Sequence, residues 1–165
     1  MRRFAAVAAV AVLAAVGAGT AGAGHSLTIY AVATKGQYAD HADDRARGVL
    51  DNPFNADENR PTGSGKKTRA GDNALIALKL YSDPSFKKRI GSGTYSCTFT
   101  TAKVALCNAD FELNNGSMSA SGPTNFDAAT FTLAVSGGTG KYLGARGQVS
   151  SAPLGKGHRL TFVFR

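Results

Sequence analysis

Residues 104–113, Val104-Ala105-Leu106-Cys107-Asn108-Ala109-Asp110-Phe111-Glu112-Leu113, alternate between two sets of side chains. Ala105, Cys107, Ala109, Phe111 and Leu113 fall on one face, and Leu106, Asn108, Asp110 and Glu112 on the other. A period of two marks a strand with one side in a core, because successive side chains leave a pleated backbone in opposite directions. The cysteine face is the buried one. Just upstream, Tyr95, Cys97 and Phe99 stand opposite Thr94, Ser96, Thr98 and Thr100, and Thr101-Ala102-Lys103 supplies a turn between the two runs. A hairpin centred on position 102 sets Cys97 directly across from Cys107, so the two sulfurs are cross-strand neighbours. A disulfide there closes a short loop, for which a stabilisation of about 2 to 3 kcal/mol is expected. A zinc site is not expected, since no further Cys or His pair lies nearby to complete four ligands.

The same alternation continues in both directions from this hairpin. Strands are predicted at about 26–34, 73–81, 88–100, 104–113, 116–122, 129–136, 142–150 and 157–165. Ser82-Asp83-Pro84, Asn114-Asn115-Gly116, Gly122-Pro123, Gly137-Gly138-Thr139-Gly140 and Gly155-Lys156-Gly157 separate them as turns. Connections this short favour antiparallel neighbours, so the fold class is all-β, an eight-stranded antiparallel β-barrel. One stretch breaks the pattern. Residues 35–70 hold seven basic and six acidic residues and few large apolar ones, and read as a long loop insertion. Val49, Leu50 and Phe54 could anchor part of it over a barrel mouth, and His41 with Asp40, Asp43 and Asp44 reads as a solvated acidic turn, because the spacing matches no calcium loop.

The N-terminus decides the compartment. Arg2-Arg3 precede an apolar, alanine-rich run from Phe4 to Val16, too short to span a bilayer. Ala21-Gly22-Ala23 then has the form a signal peptidase accepts, so residues 1–23 read as a signal peptide and 24–165 as a single domain, exported and then free of the membrane. The paired arginines leave general and twin-arginine export both open. Two cysteines suit an oxidising destination. The net charge is +8, two units of which are Arg2 and Arg3. Lys87-Lys88-Arg89 is the one dense basic run and reads as a solvated turn, so no nucleic-acid partner is expected.

Two segments carry a family resemblance. Gly71-Asp72, Lys79-Leu80-Tyr81, Lys87-Lys88-Arg89-Ile90-Gly91 and Cys97 resemble the second and third strands of plant allene oxide cyclases. Residues 133–142, Leu133-Ala134-Val135-Ser136-Gly137-Gly138-Thr139-Gly140-Lys141-Tyr142, with Gly144-Ala145-Arg146-Gly147-Gln148-Val149, are similar to a signature shared by those cyclases and the dirigent proteins. The alternation after the glycines suits a hairpin rather than the helix that a phosphate-cradling loop needs.

The resemblance implies an apolar barrel cavity that holds a reactive small molecule while it closes or couples. In the cyclases a carboxylate and a bound water assist. The family's glutamate falls here at Ala31, its water-binding asparagines at Ala33 and Leu78, so all three polar groups are missing and literal allene oxide cyclase activity is not expected. Asp110 and Glu112 face outward and cannot replace them. The candidate lining is Ile29, Ala31, Ala33, Leu78 and Tyr95, the last offering a hydroxyl; Tyr30 and Tyr81 face outward. Arg146 corresponds to a pocket-lining arginine of dirigent proteins; it either points inward to hold a ligand carboxylate, enolate or phenolate, or outward to a neighbouring carboxylate. The expected ligand is a small hydrophobic, oxygen-bearing molecule, fatty-acid-like, polyketide or phenolic, whose cyclisation or coupling is steered by shape, with no cofactor or metal. A non-catalytic carrier or filled structural barrel is the competing expectation. Related barrels form trimers, and Leu75, Leu106 and Val163 supply outward apolar surface for a homotrimer.

Overall fold

In the computed structural model, residues 25–40, 47–49 and 68–165 are described. The signal peptide, the His41-Asp43-Asp44 turn and the Leu50 and Phe54 anchors fall outside them. Nine strands form one sheet: β1 Ser26–Ala39, β2 Arg47–Val49, β3 Asn73–Tyr81, β4 Arg89–Phe99, β5 Val104–Leu113, β6 Gly116–Asn125, β7 Phe131–Gly138, β8 Gly147–Leu154 and β9 Gly157–Phe164. Each strand from β3 to β9 pairs antiparallel with the next, β1 pairs with β3, and β1 also pairs with β9. That last pairing, from Ser26↔Val163 to Ala31↔His158, closes an eight-stranded barrel, and β2 adds to β1 beyond the point where β9 ends.

Alternation selects the inner face in every strand. Ile29, Ile76, Leu78, Leu80, Phe111 and Leu160 are all at most 2% exposed. A column of rings fills the axis: Phe164 stacks on Phe162, which meets Phe111 edge-on at 5.2 Å, and Phe111 meets Tyr95, which meets Phe131, each at 5.9 Å. Edge-to-face pairs like these are favourable by about 1 kcal/mol each beyond their burial. The centre of the barrel is thus packed with side chains.

Several boundaries differ from the sequence reading for identifiable reasons. Residues 35–39 are not loop: a bulge between Ala33 and Lys35 inserts Thr34, so Gly36 and Tyr38 keep pointing inward and β1 runs on to Ala39. Residues 47–49 form β2 within the same stretch. Gly122-Pro123 is not a turn. Both residues pair with β5 inside β6, and Pro123 is tolerated because β7 pairs with β6 only as far as Ser121. Residues 142–146 are not strand either; Gly140–Tyr142 is a turn of 3-10 helix, and β8 starts at Gly147. Gly147 has φ +147, and a Cβ there would sit 2.0 Å from the Val163 carbonyl oxygen, so only glycine opens this strand.

On the outer wall, Tyr30 and Tyr81 pair across strands and both meet Phe86 edge-on. Asp83 accepts the backbone N–H groups of Ser85, Lys87 and Lys88, which makes the Lys87-Lys88-Arg89 run an exposed, self-capped turn.

Cys97 and Cys107 are direct register partners, 4.1 Å apart at Cα, joined by a disulfide and 2% exposed. The Cys97→Ala/Cys107→Ala double variant is expected to unfold in urea with about 2 to 3 kcal/mol less stability than the parent.

Candidate functional site

Polar side chains are unevenly placed inside the barrel. Asp40, Asp72, Thr124, Ser151 and His158 are the buried polar or charged residues described; Asp40, Asp72 and Thr124 lie toward one end, while His158, opposite Ala31, and Ser151 sit further along the barrel. That end is formed by the end of β1, the start of β3, the β4–β5 turn and the 126–130 connection, and the 40–71 segment leaves and re-enters there. The other half of the interior is apolar, lined by Leu27, Ile29, Met118, Val149, Phe162 and Phe164.

The buried polar groups fall into three sets. Asp72, 1% exposed, accepts hydrogen bonds from the Tyr38 hydroxyl and from the Arg69 backbone N–H, the latter at 2.6 Å, while its own backbone pairs with Phe99. Burial, then the hydrogen bond to Asp72 and the charges of Asp72 and Asp40, push the Tyr38 phenol above its ordinary range. Ser151 Oγ lies 2.8 Å from His158 Nδ1, both buried, beside Phe131, the direct partner of Ser151. Burial lowers the His158 imidazole to about 4, so it is neutral at physiological pH. Tyr95, 2% exposed, has its phenol raised by burial and stays protonated.

Tyr95 and Thr124 line a small pocket with Ile76, the Cys97–Cys107 disulfide, Phe126 and Phe131, with about 20 Å³ of free space, the room one water molecule needs. The Thr124 Oγ1 is buried and finds no hydrogen-bond partner among the described residues. Desolvating a hydroxyl without a partner costs about 1 to 3 kcal/mol, so this group is poised to receive an oxygen or nitrogen atom. Tyr38 and Phe99 sit edge-on behind this end, and Phe99 tilts against Phe126 at 5.0 Å between ring centres.

The sequence-predicted lining is divided. Tyr95 lines the pocket. Ile29, Ala31 and Leu78 are packed into the core at no more than 2% exposure, Ala33 packs against it, and none of them lines either space described. Ala31 is the register partner of His158 on β9. Arg146 is exposed and lies at the opposite, apolar end, lining an open cleft of about 500 Å³. One chamber holding both Tyr95 and Arg146 is therefore not formed. Thr124, Ser151, His158, Tyr38 and Asp72 were not singled out from the sequence. For His158 and Ser151 the signal was present, since each continues the inward parity set by Leu160 and Phe162 or by Val149.

The fold is that of the allene oxide cyclase and dirigent-like barrels. The solved structure of a pyocyanin demethylase matches with a TM-score of 0.65 at 18% identity, over 86% of this chain and 100% of that one. An exo-specific intermolecular Diels-Alderase gives 0.58 at 14% identity, covering 87% and 98%. A pterocarpan synthase dirigent protein gives 0.49 at 13%, covering 86% and 87%. No family model and no curated protein matches the sequence.

The neutral state of His158 links folding to pH. With a folded value near 4 against an ordinary 6.5, the unfolded chain takes up a proton that the folded one does not between those limits. The stabilisation is complete above about pH 6.5 and is lost as pH falls toward 4, on the order of 2 to 3 kcal/mol. Urea unfolding at a series of pH values is expected to show this decline, and to show it flattened in His158→Gln.

Proposed function

We propose that the protein is an exported barrel that binds a small hydrophobic, oxygen-bearing molecule at its polar end and steers that molecule's cyclisation or coupling. The observation that carries this reading is the buried Thr124 hydroxyl beside Tyr95 in a small, otherwise largely apolar pocket. A side chain interior that served stability alone would gain nothing from Thr124, whose hydroxyl is desolvated without a partner among the described residues. The ligand's oxygen enters between Tyr95 and Thr124, and its apolar body lies along Phe126 and Phe131. Tyr95, kept protonated by burial, donates; Thr124 donates or accepts. Neither is a nucleophile at neutral pH, so the protein's contribution is to hold a reactive conformer and exclude water, which can lower a barrier by several kcal/mol. The solved neighbours, at 18% identity or less, support the fold alone.

The packed axis favours a second reading, a non-catalytic carrier or structural module. Free space of about 20 Å³ admits a head group, not a whole fatty acid. Exposed Leu75, Leu106 and Val163 supply outward apolar surface for assembly, including the homotrimer expected from related barrels.

Untargeted mass spectrometry of molecules that co-purify with the protein separates the two readings. A ligand retained by the parent, and lost with Thr124→Val and with Tyr95→Phe, is the expected result. An empty parent protein that also ignores fatty-acid and phenolic probes supports the module instead. Because the Thr124 hydroxyl has no partner among the described residues, Thr124→Val is expected to raise the unfolding free energy by about 1 kcal/mol while it removes binding. Export is checked separately: intact mass of protein recovered from the medium of a producing culture is expected to place the first residue at Gly24, whereas retention of residues 1–23 would overturn cleavage.

A further inference from the structure

The outer wall of the barrel carries a feature that the proposed function does not use. Register places four side chains in one row across β9, β1, β3 and β4: Arg159 opposite Tyr30, Tyr30 opposite Tyr81, and Tyr81 opposite Arg89. Neighbours in such a row share a face, so two phenols lie side by side between two guanidiniums over about 14 Å of sheet. The β3–β4 connection folds back over this row. Phe86 meets Tyr30 edge-on at 6.3 Å and Tyr81 edge-on at 5.8 Å, and Lys156 from the β8–β9 turn stands over its ring at 5.6 Å. A Cβ on Gly157 would come within 3.0 Å of that ring, so glycine there is what lets Phe86 approach the wall. Phe86 takes φ +56, the one positive value outside glycine among the described residues. That conformation is costly for a residue with a Cβ. Asp83 holds it: its carbonyl receives the Phe86 N–H, and its carboxylate receives those of Ser85, Lys87 and Lys88.

Around the rings stand Lys79, Lys87, Lys88, Arg89, Lys156 and Arg159, all exposed and none in an ion pair among the described residues. Arg89 Nε donates to the Gly91 carbonyl at 3.2 Å, which orients the guanidinium and leaves its terminal nitrogens to face a ligand. Against these cations stand Asp83, engaged within its own turn, and Glu112, two strands from Lys79 in the next row. The rings are half-buried and packed edge to face, so none stands free to stack on a base or to sink into a bilayer. The surface offered is a shallow band, with phenols along its middle and cations at intervals along its length.

We propose that this band docks an acidic polysaccharide, a chain of hydroxyl-bearing rings with carboxylates at intervals, lying across β9, β1, β3 and β4. Arg159 and Arg89 each take a carboxylate in a forked pair, the lysines add point charge, and Tyr30 and Tyr81 hydrogen-bond the sugar hydroxyls between them. The contact needs neither the Tyr95–Thr124 pocket nor export, so its failure and theirs are separately visible.

Titration calorimetry on the purified chain at physiological ionic strength tests it, with polygalacturonate and uncharged dextran as probes. Polygalacturonate is expected to bind and dextran not. Arg89→Gln/Arg159→Gln is expected to weaken polygalacturonate about tenfold, and Tyr30→Phe/Tyr81→Phe by less. Lys141→Gln/Arg165→Gln removes the same charge from the cleft at the β7–β8 connection instead, and is expected to leave the affinity unchanged. Because all four of these cations are exposed, an unchanged melting curve shows that the charge variants are folded. Absence of polygalacturonate binding, equal affinity for dextran, or an equal loss in the two charge variants would each overturn the assignment. So would tighter binding of single-stranded DNA or of phosphatidylglycerol vesicles than of polygalacturonate.

Discussion

The pairing of β1 with β9 is the constraint on which the rest of the molecule depends. Once Ser26 through Ala31 lie against Val163 through His158, the sheet has no free edge along its main wall, and every strand has a definite inside. Each inward position must then be filled from a limited volume. The column from Phe164 through Phe111 to Phe131 does this with rings in edge-to-face contact, which leaves small spaces at the ends rather than a hollow centre. Closure also explains the bulge at Thr34. Without one extra residue, the second half of β1 would turn its inward set outward, and Tyr38 could not reach Asp72.

The interior is divided chemically along its axis. At one end Tyr38, Asp72 and Thr124 bring hydroxyls and a carboxylate into a buried setting, with Asp40 beside Tyr38, and further along Tyr95, Ser151 and a neutral His158 are also buried. At the other, the interior is apolar and the cations stay outside, on the rim of an open cleft. A low-dielectric surrounding makes each polar contact at the first end stronger and each unmet one more costly. His158 lies next to Ala31 of β1 from the neighbouring strand β9.

Much of this was legible in the sequence because period two is a local signal. Residues 104–113 showed their faces directly, and the hairpin arithmetic placed Cys97 opposite Cys107. What was not legible depended on neighbours. Thr34 gives no composition cue for a bulge, so alternation alone ends β1 near Thr34 and reads Lys35 to Ala39 as loop. Gly122-Pro123 has turn chemistry, yet the open β7 side of β6 at that level tolerates the missing N–H. Gly144 and Gly147 needed positive φ, a backbone demand that alternation through Tyr142 and Val149 concealed. For the site, Tyr95 was found by parity, but the separation of Arg146 from it required knowing which end of the barrel each strand terminus occupies. Thr124 was hidden beside a supposed turn.

The short strand β2 has a consequence for association between molecules. Gln37, Tyr38 and Ala39 pair with β3 on one side and with Val49, Gly48 and Arg47 on the other, at a height β9 does not reach. Stripped of that cover, the top of β1 would present bare amides and carbonyls in extended form, a ready template for a strand from a second chain. β2 therefore covers this edge of β1, which would otherwise stand open to a strand from a second molecule.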